Sequence, residues 1–245
     1  MANMKSVCLL SRRADLSRMA FRDYYESQHC LLGMRHFPFQ RYVRNHLLCS
    51  DPEVDFDCLS EFEVSAGFRS QDVLNSPAGV LLRADEQRFM MREFIRPAAA
   101  VESLLFGPQR GVDRSVSGRQ LLLFKRGDET LQSFARRLAA HGAALGAATP
   151  GVRRVTLDLF QAYPGIAFGY DAMLSLWLEE GAEVAKSNWP AAVSMLVKSH
   201  ESPPEQLVAF YAGPTPDVGA GSTLEPIRFS LVQAEDERRR LLGED

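Results

Sequence analysis

Tyr42, Arg44 and His46 alternate along the stretch RYVRNHLL, residues 41–48. Alternate residues of a strand project to one face, so this spacing predicts a phenol, a guanidinium and an imidazole side by side. Imidazole changes charge near neutral pH and can give and take a proton in one cycle. A guanidinium grips a carboxylate through paired hydrogen bonds. Acid–base work on a small anionic substrate follows, with His46 and Arg44 as catalytic candidates and Tyr42 beside them. His29 lies four residues after Tyr25 in FRDYYESQHCLL. On a helix packed over the strand it would bring a second imidazole from above, making it the third catalytic candidate. Tyr24 and Tyr25 join the substrate-binding candidates, Tyr24 facing the pocket mouth or solvent. Asn45 falls on the opposite strand face and is expected to hydrogen-bond the helix layer, while it stays with Tyr42, Glu61 and Trp177 among the substrate-binding candidates. Glu61 and Glu63 in CLSEFEV should face away from the helices, where a carboxylate could orient a histidine or act as a base. Trp177 could be an aromatic wall. His36 and His200 stand next to proline-containing turns and read as loop residues. The bland alternative is a polar seam of satisfied histidines that ties strand to helix.

These residues need a scaffold, and an internal repeat supplies it. At an offset of 113 residues, CLLSRRADLSRMAF (8–21) meets LLLFKRGDETLQSF (121–134), and Arg41 meets Arg154. One residue further, DCLSEFEV (57–64) meets DAMLSLWL (171–178). NSPAGV (75–80) then meets NWPAAV (188–193), and LLFGP (104–108) answers FYAGP (210–214). Each half reads as βαββαβ: in the first, strands over 6–11, 41–48, 58–64 and 101–106. The first helix is opened by Ser17 as N-cap, and an interrupted later helix restarts at Ser76-Pro77. A sheet covered by helices on one face needs a second layer on the other, and a second copy on the same chain provides it. The expected class is α+β, two tandem repeats with antiparallel sheets face to face as an intrachain barrel. The expected divisions are a first repeat over 1–108, a linker over 109–118, a second repeat over 119–214 and a tail over 215–245 with a short surface helix.

The two halves differ in what they carry. Tyr42, Arg44 and His46 meet Val155, Leu157 and Leu159, and Tyr25 and Glu26 meet Leu138 and Ala139. This asymmetry predicts one functional pocket in the first half, walled by the second.

Composition narrows the classes. A net charge of −3 lacks the basic footprint of a nucleic-acid binder, so no nucleic-acid partner is expected. The apolar run near the N-terminus is too short for a signal peptide or a membrane span, which predicts a cytoplasmic protein without a membrane partner. The four cysteines form no CxxC pair and read as free thiols, and no strong metal-ligand spacing is present, so no metal is expected. Phosphate-loop, dinucleotide and nucleophile-elbow motifs are also missing from the sequence.

The strand VCLLSRR, the helix with Phe21-x-x-x-Tyr25-Glu26-x-x-His29, the strand RYVRNHLL, and the later DCLSEFEV and SPAGVLLRADEQRF together resemble the EthD family of the dimeric α+β barrel superfamily. The second half looks like a degenerate copy, and the resemblance covers residues 5 to about 214. It implies ferredoxin-like units paired into a barrel, with a pocket between sheet and helices. It also implies a cofactor-free lyase, a decarboxylase or dehydratase, for a small aromatic or polyketide-like acid. Isomerase, cyclase or monooxygenase chemistry in the same pocket is the alternative, and a non-catalytic binding protein the third reading. The superfamily includes haem proteins, so His29 or His46 could also ligate iron. Exposed barrel edges would make a homodimer plausible.

Overall fold

The computed structural model describes residues 3–109, 118–182, 184 and 192–212. Eight antiparallel strands close into a barrel: β1 (Asn3–Leu10), β2 (Phe39–Asp51), β3 (Cys58–Val64), β4 (Arg96–Phe106), β5 (Gly118–Phe124), β6 (Val152–Ala162), β7 (Ala172–Leu178) and β8 (Val193–Glu201). Around the barrel the order is β4-β1-β3-β2 and then β8-β5-β7-β6, so each half contributes four strands in the same sequence order. The halves join edge to edge, β2 on β8 and β4 on β6. Closure therefore removes the exposed edges on which a homodimer was expected to form.

Helices lie outside. α1 (Arg18–Tyr24) passes through a π-helical turn (Tyr25–His29) into α2 (Cys30–His36), and α3 (Ser70–Leu74) and α4 (Pro77–Glu86) follow β3. α5 (Leu131–Ala148) is the counterpart of α1 in the second half, and α6 (Pro204–Phe210) follows β8. Local chemistry sets their starts. Ser17 Oγ accepts from the Ala20 N–H, Thr130 Oγ1 from the Ser133 N–H, and Ser76 caps α4 ahead of Pro77. The strand-to-helix turns also match: Asp57 accepts from the Arg12 N–H at 3.0 Å and Asp171 from the Arg126 N–H at 2.8 Å.

The second half departs from the expected pattern at its end. Val193, matched by the repeat to helix residue Val80, begins β8, and Phe210, matched to β4 residue Leu104, ends α6. The chain passes from β7 to β8 in fewer than half the residues used between β3 and β4, so a constant offset misplaces everything after β7. The expected linker core (110–117), the NWPA segment and the tail lie outside the described residues.

The barrel interior has two ends of opposite character. One is apolar, with Val7, Leu9, Leu59, Leu121, Leu123 and Met173 interlocked and Phe56 and Phe168 against them. The other is ionic. The Lys5 ammonium is bound by Glu61, by Glu102 at 2.7 Å and by Asp158 at 2.9 Å, all buried. Arg119 Nη1 donates to Glu61 at 2.6 Å and to Asn45 at 2.9 Å, and Nη2 donates to Ser175 at 2.8 Å. Two further apolar layers fill the space between barrel and helices, Phe21, Tyr25, Met34 and Phe89 in the first half and Phe134, Leu138, Leu174 and Leu176 in the second.

Candidate functional site

Tyr42, Arg44 and His46 do share one face of β2, and that face looks at the helices. Glu26 meets them there from the π-helical turn. The extra residue in such a turn shifts the side chains that follow, and π turns recur at functional sites. Glu26 Oε1 lies 2.6 Å from His46 Nε2, and Arg44 donates to Oε2 from Nη2 at 2.7 Å and to Oε1 from Nε at 3.1 Å. The fork expected to hold a substrate carboxylate thus holds Glu26. Its other amino group, Nη1, donates to Ser202 Oγ at 2.7 Å and to the Tyr42 carbonyl at 3.1 Å, and the guanidinium stacks on the Tyr42 ring at 4.5 Å. Arg44 is 4% exposed, and all three of its nitrogens already donate within the cluster.

Charge follows from these contacts. Burial pushes the Glu26 carboxyl up, but hydrogen bonds from His46 and Arg44 outweigh it and hold the group at about 2. Glu26 is therefore ionised at neutral pH. Burial pushes His46 below the usual imidazole value of 6.5 against the pull of Glu26. A neutral ring beside an ionised carboxylate carries its proton on Nε2, which leaves a lone pair on Nδ1. That atom is buried and has no hydrogen-bond partner. The rings of Phe21 and Tyr25 meet His46 edge-on, at centroid distances of 6.1 and 5.6 Å.

His29 takes a separate place. Its Nδ1 lies 2.8 Å from Asp85 Oδ2 on α4, and the Tyr24 hydroxyl donates to Asp85 Oδ1 at 2.7 Å. Tyr24 therefore faces a carboxylate on α4. Tyr25 stands between the two histidines, edge-on to both. Its hydroxyl shares hydrogen bonds with Ser60 at 2.8 Å and with Tyr42 at 3.0 Å, and burial raises both phenols. His29 and His46 thus flank one aromatic core without meeting.

The remaining candidates lie on the other side of the sheet. Asn45 points into the barrel, not into the helix layer, because it alternates with Arg44 and His46. It donates to Glu61 at 2.8 Å and accepts from Arg119 and Ser199. Glu61 faces the interior, where it binds Lys5 and Arg119 and contacts no histidine among the described residues; despite burial these cations hold its carboxyl well below the usual range. Burial dominates at Asp158 and lifts it to about 6. Carboxylate oxygens of Glu61, Glu102 and Asp158 lie within 4.8 Å of one another, with the Lys5 ammonium among them as counter-ion. Trp177 is sandwiched by guanidinium groups, Arg119 at 4.4 Å and Arg154 at 4.3 Å. A flat ligand would have to displace one of them.

Sequence reasoning missed two members of the cluster. Glu26 stood in the helix motif and met Ala139 in the repeat, which was the available signal. His200 is a β8 residue opposite Arg44, not a loop residue, and its Nδ1 lies 3.7 Å from Glu26 Oε2. No sequence signal paired it with β2, since that contact joins the two halves. His36 likewise ends α2. A shallow surface groove lined by Arg13, Gln87, Met90, Met91, Arg92 and Glu93 includes no candidate residue.

No protein-family model and no curated protein sequence matches this chain. Solved structures of similar fold include an anthrone oxidase-like protein, with TM-score 0.53 and 9% identity over 81% of this chain and 92% of that one. A candidate monooxygenase from Fusobacterium nucleatum subsp. nucleatum ATCC 25586 has TM-score 0.49 and 11% identity over 80% and 93%. A candidate chlorite dismutase has TM-score 0.44 and 8% identity over 86% and 99%. The anthrone oxidase-like likeness establishes architecture alone: an eight-stranded antiparallel barrel with helices outside, closed within one chain. No described helix is long and apolar enough to cross a membrane.

Proposed function

We propose that this chain is a cofactor-independent enzyme that removes a proton from a small aromatic or polyketide-like substrate. His46 is the general base and Glu26 its partner. The observation that carries this reading is the buried imidazole that binds an ionised carboxylate through Nε2 and leaves Nδ1 unpartnered. A carboxylate so placed fixes the tautomer and stabilises the imidazolium formed on proton uptake. Arg44 keeps Glu26 ionised and oriented, and so acts through it. The halves are tandem ferredoxin-like repeats, the first EthD-like over 1–108 and the second degenerate over 119–214, and only the first carries the dyad. Tyr42, Tyr25 and Tyr24 shape the aromatic surroundings, and His29 serves with Asp85. The setting we propose is cytoplasmic.

Within this reading oxidation is preferred to decarboxylation or dehydration. A lyase for an aromatic acid needs an anion holder, and Arg44 is already engaged with Glu26. Proton removal from an activated C–H needs only the base, and the name of the anthrone oxidase-like relative points to such a substrate. With an anthrone, His46 Nδ1 would take the ring C–H proton and leave a stabilised carbanion. Molecular oxygen adds to that carbon, the proton returns to the peroxide, and loss of water leaves the second carbonyl. One anthrone and one O2 give one anthraquinone and one water.

The test is to give purified protein anthrone, or a panel of aromatic carboxylic acids, in air without added cofactor. Oxygen uptake matching quinone formation is expected. Release of CO2 from an acid without oxygen uptake would replace this reading with the lyase.

A further inference from the structure

We propose that His200, supplied by the second half of the chain, completes the site as a second imidazole contact, so that a bound small molecule is held between His46 Nδ1 and His200 Nε2. The proposal rests on the reading of His46 given above and adds a residue and a ligand chemistry to it. Three observations carry it. His200 and His46 are rings in edge-on contact, with centroids 5.6 Å apart, and each has its own nitrogen nearest Glu26. The second nitrogen of each ring, Nδ1 of His46 and Nε2 of His200, is buried without a partner. Buried polar atoms in native proteins are almost always satisfied, and two orphans on adjoining rings call for a hydrogen-bonding guest. Third, on the helix-facing side the two joins differ. Arg44 lies opposite His200 across the β2–β8 join, while at the equivalent β6–β4 join Leu157 lies opposite Ser103.

The charge pattern defines the guest. Glu26 is ionised, takes the N–H of His46 Nε2 and lies 3.7 Å from His200 Nδ1, where its charge favours the proton, so both orphan nitrogens present lone pairs. Arg44 offsets the carboxylate internally. The site therefore accepts hydrogen bonds and offers no free cation, which suits a neutral molecule with two hydroxyl donors and disfavours a carboxylate. His200, one-third exposed, is the edge from which such a molecule enters.

Resorcinol and benzoate are the probes, added to protein labelled with 15N at histidine. Both orphan nitrogens should show the shift of an unprotonated imidazole nitrogen, and both should move on adding resorcinol but not benzoate. His200→Gln should weaken resorcinol binding about tenfold, the size of one hydrogen bond, with an unchanged melting temperature. Resorcinol shifts confined to His46, or equal affinity in the variant, would overturn the proposal. A protonated Nδ1 on His46 would instead remove the base reading. These are binding measurements, so absence of turnover leaves the inference standing.

Discussion

Glu26 carries its charge beside two imidazoles and a guanidinium, and its protonation decides what the cluster can do. Its carboxyl is held at about 2 against an ordinary 4.5. A depressed carboxyl stabilises the fold above its unfolded value, and that contribution is lost as pH falls from about 4.5 through 2. Glu26→Gln should therefore flatten the decline of stability in this acid window, read by urea unfolding at stepped pH. Removing the other partner acts differently. Arg44→Met leaves a half-buried carboxylate held by one imidazole, and should cost about 3 kcal/mol at neutral pH in the same measurement. Sequence alone named His46 and Arg44 because their types alternate on one strand. It assigned Arg44 outward to a substrate because Glu26 sits far along the chain, and nothing in a one-dimensional pattern says which carboxylate a guanidinium will meet first.

At the scale of elements, the helix starts and the first three strands were legible. Ser17, Ser76 and Pro77 are local signals whose hydrogen bonds close within a few residues, and CLSEFEV forms β3 from Cys58 to Val64 as expected. The π turn was not legible, since the Tyr25–His29 segment keeps near-helical apolar spacing and only packing reveals the extra residue. β8 was misplaced because a repeat offset cannot show a shortened connection. Two element-level outcomes follow. Ser17→Ala removes the acceptor for the Ala20 N–H and should cost about 1 kcal/mol, read by denaturant midpoint. Gly146→Ala should cost about 1–3 kcal/mol, because its Cβ would lie 2.3 Å from Phe106 Cγ where α5 crosses β4.

For the whole molecule, closure is the main consequence. The expectation of two facing sheets came from counting uncovered faces, and the barrel meets it by joining the sheet edges through β2–β8 and β4–β6. Closure leaves the interior to be filled, which explains the fate of Asn45 and Glu61. They belong to the ionic end, whose centre is Lys5. That network was invisible in sequence because its members come from β1, β2, β3, β4, β5 and β6. Lys5→Met would leave Asp158 without its cation in low dielectric, while Glu61 keeps Arg119 and Glu102 keeps Arg154, and should cost about 3–5 kcal/mol at neutral pH. The unpaired Asp158 carboxyl would be raised further in the fold, so the variant's stability should rise as pH falls from 7 to 5, more steeply than that of the parent chain. A parallel pair of pH-dependent unfolding series checks both magnitude and sign.

The central claim is that His46 is the base of a proton-abstracting site, and the turnover of anthrone by the parent chain and by His46→Gln tests it most directly. The account predicts quinone formation by the parent chain, and a rate in the folded variant lower by about 10²–10⁴-fold. A folded variant that turns over anthrone at the parental rate would contradict it.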